Sequence, residues 1–305
     1  MKILRDPANT SPCVLVLGTF DGVHRGHQAL LMAGNDLAEK YHLPLNVCTF
    51  EPHPLQVLRP EAAPPLLTTL PERAALMAGF GVENLCVTTF TKQVAAQEPE
   101  AYLQDLFERY HPKALVCGFN HTFGAYGRGN GETIRQWCAA HDCEAVIVPN
   151  VVLDGATVSS TRIRGLLEAG QITEATRLMG HWYTMSGRVM DGKHIGRTMG
   201  YPTANMEPPK GKVFPAYGVY ACYLTAEEKI YPAVVNVGRH PTLPEGNITV
   251  EAHVLDACLM LYGKKIRLDF LRFQRPEHLF SGVEELKTQI TRDAADAKAY
   301  FASLR

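Results

Sequence analysis

Apolar residues in the first half of the chain fall in short, nearly unbroken runs at 14–17, 45–50, 84–90, 114–118 and 145–148. Runs of this length and character suit parallel strands covered on both faces. Between them, 27–41, 71–78, 99–110 and 132–141 repeat apolar residues at helical spacing. Strand and helix in regular alternation predict a doubly wound parallel sheet, with ligands at the carboxyl ends of its strands. After about residue 180 the pattern changes. Segments 183–190, 218–224, 233–237, 248–255 and 265–273 alternate partially and are separated by turn residues, which predicts an antiparallel barrel or sandwich. At 281–304, Val283, Leu286, Ile290, Ala294, Ala297 and Phe301 mark an amphipathic closing helix whose stripe is read as packing. The Pro- and Ala-rich stretch 59–67 is expected to be a mobile loop. Two domains follow, 1–180 and 181–305, each long enough to bury a core.

Composition narrows the function classes. Lys plus Arg (30) nearly balance Asp plus Glu (31), so no broad field for nucleic acid or anionic membrane is present. A phosphate-bearing small molecule must then be held by a local site. Met1-Lys2-Ile3-Leu4-Arg5-Asp6-Pro7 has no apolar run of signal-peptide length, and no stretch approaches a membrane span. There are eight Cys and no Cys-x-x-Cys pair; Cys13, Cys48, Cys86 and Cys117 sit in strand-like runs as small hydrophobes. A cytoplasmic protein is expected.

The run 14–17 leads into Gly18-Thr19-Phe20-Asp21-Gly22-Val23-His24-Arg25-Gly26-His27. A strand, a glycine turn and a helix start converge unpaired N–H groups on an anion. His24 and His27, three apart, share a helical face and suit phosphate oxygens or a leaving pyrophosphate. Two metal ligands would fit the spacing, but no further Cys or His lies close in sequence to complete a set. The segment predicts an ATP site for nucleotidyl transfer. A second segment, Ser159-Ser160-Thr161-Arg162-Ile163-Arg164, opens a helix. Capping explains one hydroxyl; it does not explain three followed by two arginines, which suit ATP phosphates. Arg164 is preferred to Arg162 as the phosphate ligand.

These two strings resemble the nucleotidylyltransferase superfamily. Thr49-Phe50-Glu51-Pro52-His53-Pro54 and Gly118-Phe119-Asn120-His121-Thr122-Phe123-Gly124 narrow the resemblance to the bacterial bifunctional riboflavin kinase/FAD synthetase family. The resemblance implies an α/β nucleotidylyltransferase-type sheet domain that adenylylates FMN to FAD with ATP and Mg²⁺. It also implies that His53 and Asn120 line the nucleotide or flavin site.

The second half carries Gly192-Lys193-His194-Ile195-Gly196-Arg197-Thr198-Met199-Gly200-Tyr201-Pro202-Thr203-Ala204-Asn205. Gly192, Gly196 and Gly200 allow a flap over phosphates, with Lys193 or Arg197 supplying charge. After Pro202 the chain is biased to extended geometry, which points Thr203 and Asn205 to one side; their oxygens suit Mg²⁺. Along 248–255, Thr249, Glu251 and His253 share the polar face, and beside Mg²⁺-ATP a carboxylate there could activate an alcohol. With Gly218-Val219-Tyr220-Ala221, Asn236-Val237-Gly238 and Leu261-Tyr262-Gly263, this order resembles the riboflavin kinase module, an antiparallel barrel with a C-terminal helix. The resemblance implies that Thr203 and Asn205 hold the metal, Glu251 activates the riboflavin 5′-hydroxyl and Arg275 lies near the flavin. The chain then makes FMN in its second domain and FAD in its first, with flavins and ATP as its small-molecule partners, no nucleic acid or membrane partner, and oligomeric state left open. The alternatives are a nucleotidylyltransferase for another phosphate acceptor and a flavin-binding protein without turnover.

Overall fold

Six strands build the first sheet: β1 (Lys2–Arg5), β2 (Cys13–Leu17), β3 (Leu45–Glu51), β4 (Asn84–Thr89), β5 (Pro112–Gly118) and β6 (Glu144–Val148). They are all parallel, in the order β1-β4-β3-β2-β5-β6. The computed structural model describes residues 1–190, 201–239, 248–257 and 259–304. The chain divides into two compact units, Met1–Ser159 and Ser160–Arg305. The helices of the first unit are α1 (Arg25–Tyr41), α2 (Pro54–Leu58), α3 (Leu70–Ala78), α4 (Lys92–Ala95), α5 (Pro99–Tyr110) and α6 (Gly131–Ala140), and a small hairpin pairs β7 (Val152–Leu153) with β8 (Ala156–Thr157).

Side chains alternate across the strands, and the two faces make two cores. Val14, Val16, Val47, Leu85 and Val116 pack with Leu31 of α1 and Met77 of α3. Cys13, Leu15, Cys48, Cys86, Leu115 and Cys117 pack on the other face with Leu103 of α5 and Ile134 of α6. The four strand cysteines are buried free thiols, and burial pushes those of Cys13, Cys86 and Cys117 up to about 12. They pack as apolar groups, as their sequence setting implies. From β2 the chain builds outward through β3, then crosses back to place β5 on the other side of β2. The β2/β5 boundary is therefore a switch point, where the loops leaving adjacent strands diverge and open a crevice.

The predicted elements of this unit all form, with ends shifted by a residue or two. β1 was not expected, because a four-residue, largely exposed edge strand carries almost no apolar signal. The loop expected to be mobile contains a 3₁₀ turn at Pro60–Ala62, and its last residue, Leu67, is fully buried.

In the second unit α7 (Ser160–Glu168) and α8 (Ile172–Met179) precede a closed antiparallel barrel and the final helix, α9 (Val283–Ser303). The barrel strands are β9 (Tyr183–Met190), β10 (Ala204–Met206), β11 (Gly218–Ala226), β12 (Lys229–Arg239), β13 (Ile248–Val254) and β14 (Lys265–Pro276), ordered β10-β13-β12-β11-β14-β9 with β9 returning to β10. Tyr220, Leu224, Val235, Ala252, Leu268 and Phe270 are among its fully buried residues. Residues 160–179, which the sequence reading groups with the sheet, pack with the barrel unit, because α8 buries Ile172, Ala175, Leu178 and Met179 beside β9 and β14. On α9, Ala294, Ala297 and Phe301 close over Ala221, Val234 and Leu255, so this part of the predicted stripe is packing.

Candidate active sites

The crevice of the first unit collects three loops from the carboxyl ends of neighbouring strands. The loop after β2 carries Gly18, Thr19, Phe20, His24, Gly26 and His27; the loop after β3 carries His53; the turn after β5 carries Asn120. Gly18 N–H donates to Cys48 O at 3.2 Å, and Thr49 Oγ1 donates to Thr19 O at 3.2 Å, so the first two loops are stitched together. Phe20 and Val23 have φ of 53° and 38°, and Gly22 has φ of 88°. A left-handed β-branched residue is an outlier that persists only where its surroundings over-determine it. Asp21 supplies that restraint. Its carboxylate, 1% exposed, accepts from Leu67 N–H at 2.9 Å, Thr68 N–H at 3.0 Å and Thr68 Oγ1 at 3.4 Å. Thr68 Oγ1 in turn accepts from Gly22 N–H at 2.9 Å.

This turn delivers His24 to the cap of α1. His24 Nδ1 accepts from His27 N–H at 3.4 Å. The two imidazoles stack with centroids 3.7 Å apart, and Phe20 tilts against His27 at 5.3 Å. Gly26 leaves room for the pair: a Cβ there would stand 3.1 Å from the His24 ring, close enough to push it aside. Burial first, then the charges of His24 and Arg73, hold His27 well below the usual imidazole value, so it is neutral at physiological pH. His53 Nδ1 caps α2 through Leu55 N–H at 3.2 Å, while Asn120 is exposed beside Gly118. Ser159 follows Val158 at the end of this unit; Ser160, Thr161 and Arg164 lie on α7 in the second unit, where Arg164 is buried and Thr161 exposed.

Two contributors were missed in the sequence. Asp21 lies inside the glycine-turn string, but nothing in its neighbours there signals a role. Arg73, 5% exposed, stands on the apolar stripe of α3 between Leu70 and Met77. An arginine on a buried stripe was the available signal, hidden because α3 reads as an ordinary packing helix.

In the barrel, Val250, Ala252 and Val254 face the core while Thr249, Glu251 and His253 are half-buried on the other face, as period two predicts. The register puts Glu251 of β13 directly opposite Asn205 of β10 on one side and Asn236 of β12 on the other. Opposed residues share a face with Cα atoms about 4.5–5.5 Å apart, so an amide–carboxylate–amide row crosses three strands. Asn236 Nδ2 donates to Glu277 Oε1 at 3.3 Å. Thr203 is half-buried one residue ahead of β10, and Pro202 O meets His253 Nδ1 at 3.0 Å. Arg275 is held bidentately by Asp293 of α9, at 2.9 and 2.7 Å. Gly192, Lys193, Gly196, Arg197 and Gly200 lie outside the described residues. Among the described residues no cluster of three His, Cys, Asp or Glu could hold a metal ion, and no helix is long and apolar enough to cross a membrane.

Comparison with known proteins also finds two domains. The FAD synthetase family model covers residues 6–162 and the riboflavin kinase model residues 179–301. A bifunctional riboflavin kinase/FMN adenylyltransferase of Escherichia coli strain K12 is 35% identical, covering 99% of this chain and 98% of that protein. Proteins of the same description from Listeria monocytogenes and Bacillus subtilis are 33% and 32% identical, covering 95% and 96% of this chain and 93% of each relative. A crystal structure described as a macrolide-efflux protein from Streptococcus pneumoniae superposes with a TM-score of 0.87 at 30% identity, covering 97% of this chain and 98% of that one. The two domain matches and the nearly full-length relatives agree: the chain belongs to the bifunctional riboflavin kinase/FMN adenylyltransferase family.

Proposed function

We propose how the two activities of this bifunctional enzyme divide among its residues. The chain phosphorylates riboflavin to FMN and adenylylates FMN to FAD, each with ATP. Adenylyl transfer is assigned to the crevice of the first unit, with Gly18, Thr19, Phe20 and Gly26 lining the ATP site and His24 and His27 facing the leaving pyrophosphate. His53 and Asn120 flank the nucleotide or flavin, and Ser159 contributes a phosphate contact. The observation that carries the assignment is the stacked His24–His27 pair at the start of α1, at the switch point of a parallel sheet. His24 and His27, the latter held neutral by burial, offer ring N–H donors that suit stabilising charge on a departing pyrophosphate.

Riboflavin phosphorylation is assigned to the outer face of the barrel. Glu251 orients the 5′-hydroxyl and takes its proton as the γ-phosphoryl group is transferred. Thr203 and Asn205 offer a hydroxyl and an amide oxygen, a hard donor set that fits Mg²⁺ shared with nucleotide phosphates. Mg²⁺ there would neutralise phosphate charge. Asn205 and Asn236 stand opposite Glu251 on the same face, and Arg275 near the flavin also anchors α9 through Asp293. A cytoplasmic location is part of the same reading, supported by buried thiols that remain unpaired.

The test is a time course with riboflavin, ATP and Mg²⁺. FMN must appear first and FAD after it. Flavin that binds without product over long incubation would favour the non-catalytic reading, and labelled AMP passed to a different phosphate acceptor would favour the other.

A further inference from the structure

Arg73 is buried without the partners that a buried guanidinium needs. Its Nη1 donates to Thr49 Oγ1 and its Nη2 to Thr68 O, both at a long 3.4 Å, and its Nε has no partner among the described residues. The nearby carboxylates are committed elsewhere. Asp21 accepts from Leu67 and Thr68, and Glu51 pairs with Arg5 at 2.6 Å. Guanidinium stays protonated in proteins, so a buried positive charge keeps two long hydrogen bonds for its five N–H groups, with the Nε–H unused. His27, whose imidazole feels the Arg73 charge, also has its Nδ1 unpartnered. Thr49 and Thr68 tie Arg73 to the same turn that carries the histidines, through Thr19 O and Gly22 N–H. A structural arginine would satisfy Nε and hold a carboxylate at ion-pair distance; here Asp21 and Glu51 act on the charge only through space, and Nε has no partner among the described residues. The group that completes the pocket must be an anion with several acceptor oxygens.

We infer that Arg73 is a catalytic residue of adenylyl transfer, its guanidinium binding a phosphate oxygen of the reactants beside His27. The inference rests on Gly18–His27 being the ATP site. In the reaction an FMN phosphate oxygen bonds to the α-phosphorus of ATP, the bond from that phosphorus to the bridging oxygen breaks, and pyrophosphate leaves with the electron pair. No proton need move, so a fixed positive donor is the apt device. The anion is either the departing pyrophosphate or the incoming phosphomonoester.

The experiment measures Kd for inorganic pyrophosphate and for FMN on wild-type protein, Arg73→Met, Arg73→Lys and His27→Ala, with riboflavin kinase turnover as the concentration control. Arg73→Met should weaken one anion by about 100-fold and lower kcat for FAD formation comparably, with Arg73→Lys recovering part of the loss. The anion affected identifies the source. Wild-type Kd values for both anions in folded Arg73→Met would overturn the inference. If His27→Ala weakened pyrophosphate while Arg73→Met did not, the ATP site would stand and only the role of Arg73 would fall; if neither did, the site itself would fall. Should Arg73→Met not fold, the Arg73 Nε–H resonance of wild-type protein, assigned with Arg73→Lys, must shift on titration with one of the two anions, and an unmoved resonance overturns the inference.

Discussion

Asp21→Asn isolates the restraint that shapes the nucleotide turn. The carboxylate receives Leu67 N–H and Thr68 N–H at 2.9 and 3.0 Å from a position 1% exposed. Both N–H groups donate to Oδ1, and Oδ2 shares only Leu67 N–H at 3.1 Å. An amide of the same shape can keep Oδ1 in place, but its acceptor is neutral and its NH₂ stands against Leu67 N–H. Hydrogen bonds contribute about 1.5–3 kcal/mol each to a charged acceptor and about 0.5–1.5 kcal/mol to a neutral one. Two bonds weakened in this way, with the NH₂ facing an N–H, lose about 3 kcal/mol, and the restraint on the left-handed Phe20 and Val23 loosens. The chain has two tryptophans, Trp137 in the first unit and Trp182 in the second. In a Trp182→Phe background, urea unfolding followed by fluorescence therefore reports the first unit alone. For a unit of this size m is about 2 kcal/mol/M, so the midpoint should fall by about 1.5 M. FAD formation should fall with it while FMN formation persists. A midpoint shift under about 0.3 M would refute the reasoning.

Separated sites give the next prediction. His27→Ala should cut FAD formation about 10²–10³-fold and leave FMN formation intact, whereas Glu251→Ala should do the reverse by about 10²–10⁴-fold, both read by chromatography of the flavins. One substitution removing both activities from folded protein would defeat the assignment. Burial of His121 lowers it to about 4. The unfolded chain takes that proton near the ordinary imidazole value of about 6.5, so this contribution is full above it and is lost as pH falls toward 4, a loss of about 3 kcal/mol. Unfolding midpoints between pH 7 and 4.5 should show the slope, and His121→Phe should flatten it. Asp293→Ala leaves the guanidinium of Arg275 without its bidentate carboxylate and should cost about 2 kcal/mol, measured by thermal unfolding through Trp182.

The element types were legible because each depends on local spacing. Period two exposed the alternating faces of β13, and period 3.6 exposed α5 and α9. The glycine turn ending in His24 and His27 was legible for a similar reason: a strand, a tight turn and a helix start are consecutive in sequence, and so is the anion site they make. Elements stabilised from outside were not legible. β1 is held by β4 some eighty residues away, and residues 160–179 join the barrel unit through surface that only the fold supplies.

Pairing across distance was decided by the tertiary structure alone. Nothing in the local sequence puts Glu251 between Asn205 and Asn236; the register of three strands does. Nothing local says that Asp21 will hold Leu67 and Thr68, or that Arg73 will be buried beside the loops they fix. Sequence periodicity encodes which face of an element turns inward, because that depends on neighbours a few residues apart. Whether a charged side chain on that face finds a partner, a solvent path or an empty place for a phosphate depends on elements far along the chain, and only the packed fold brings them together.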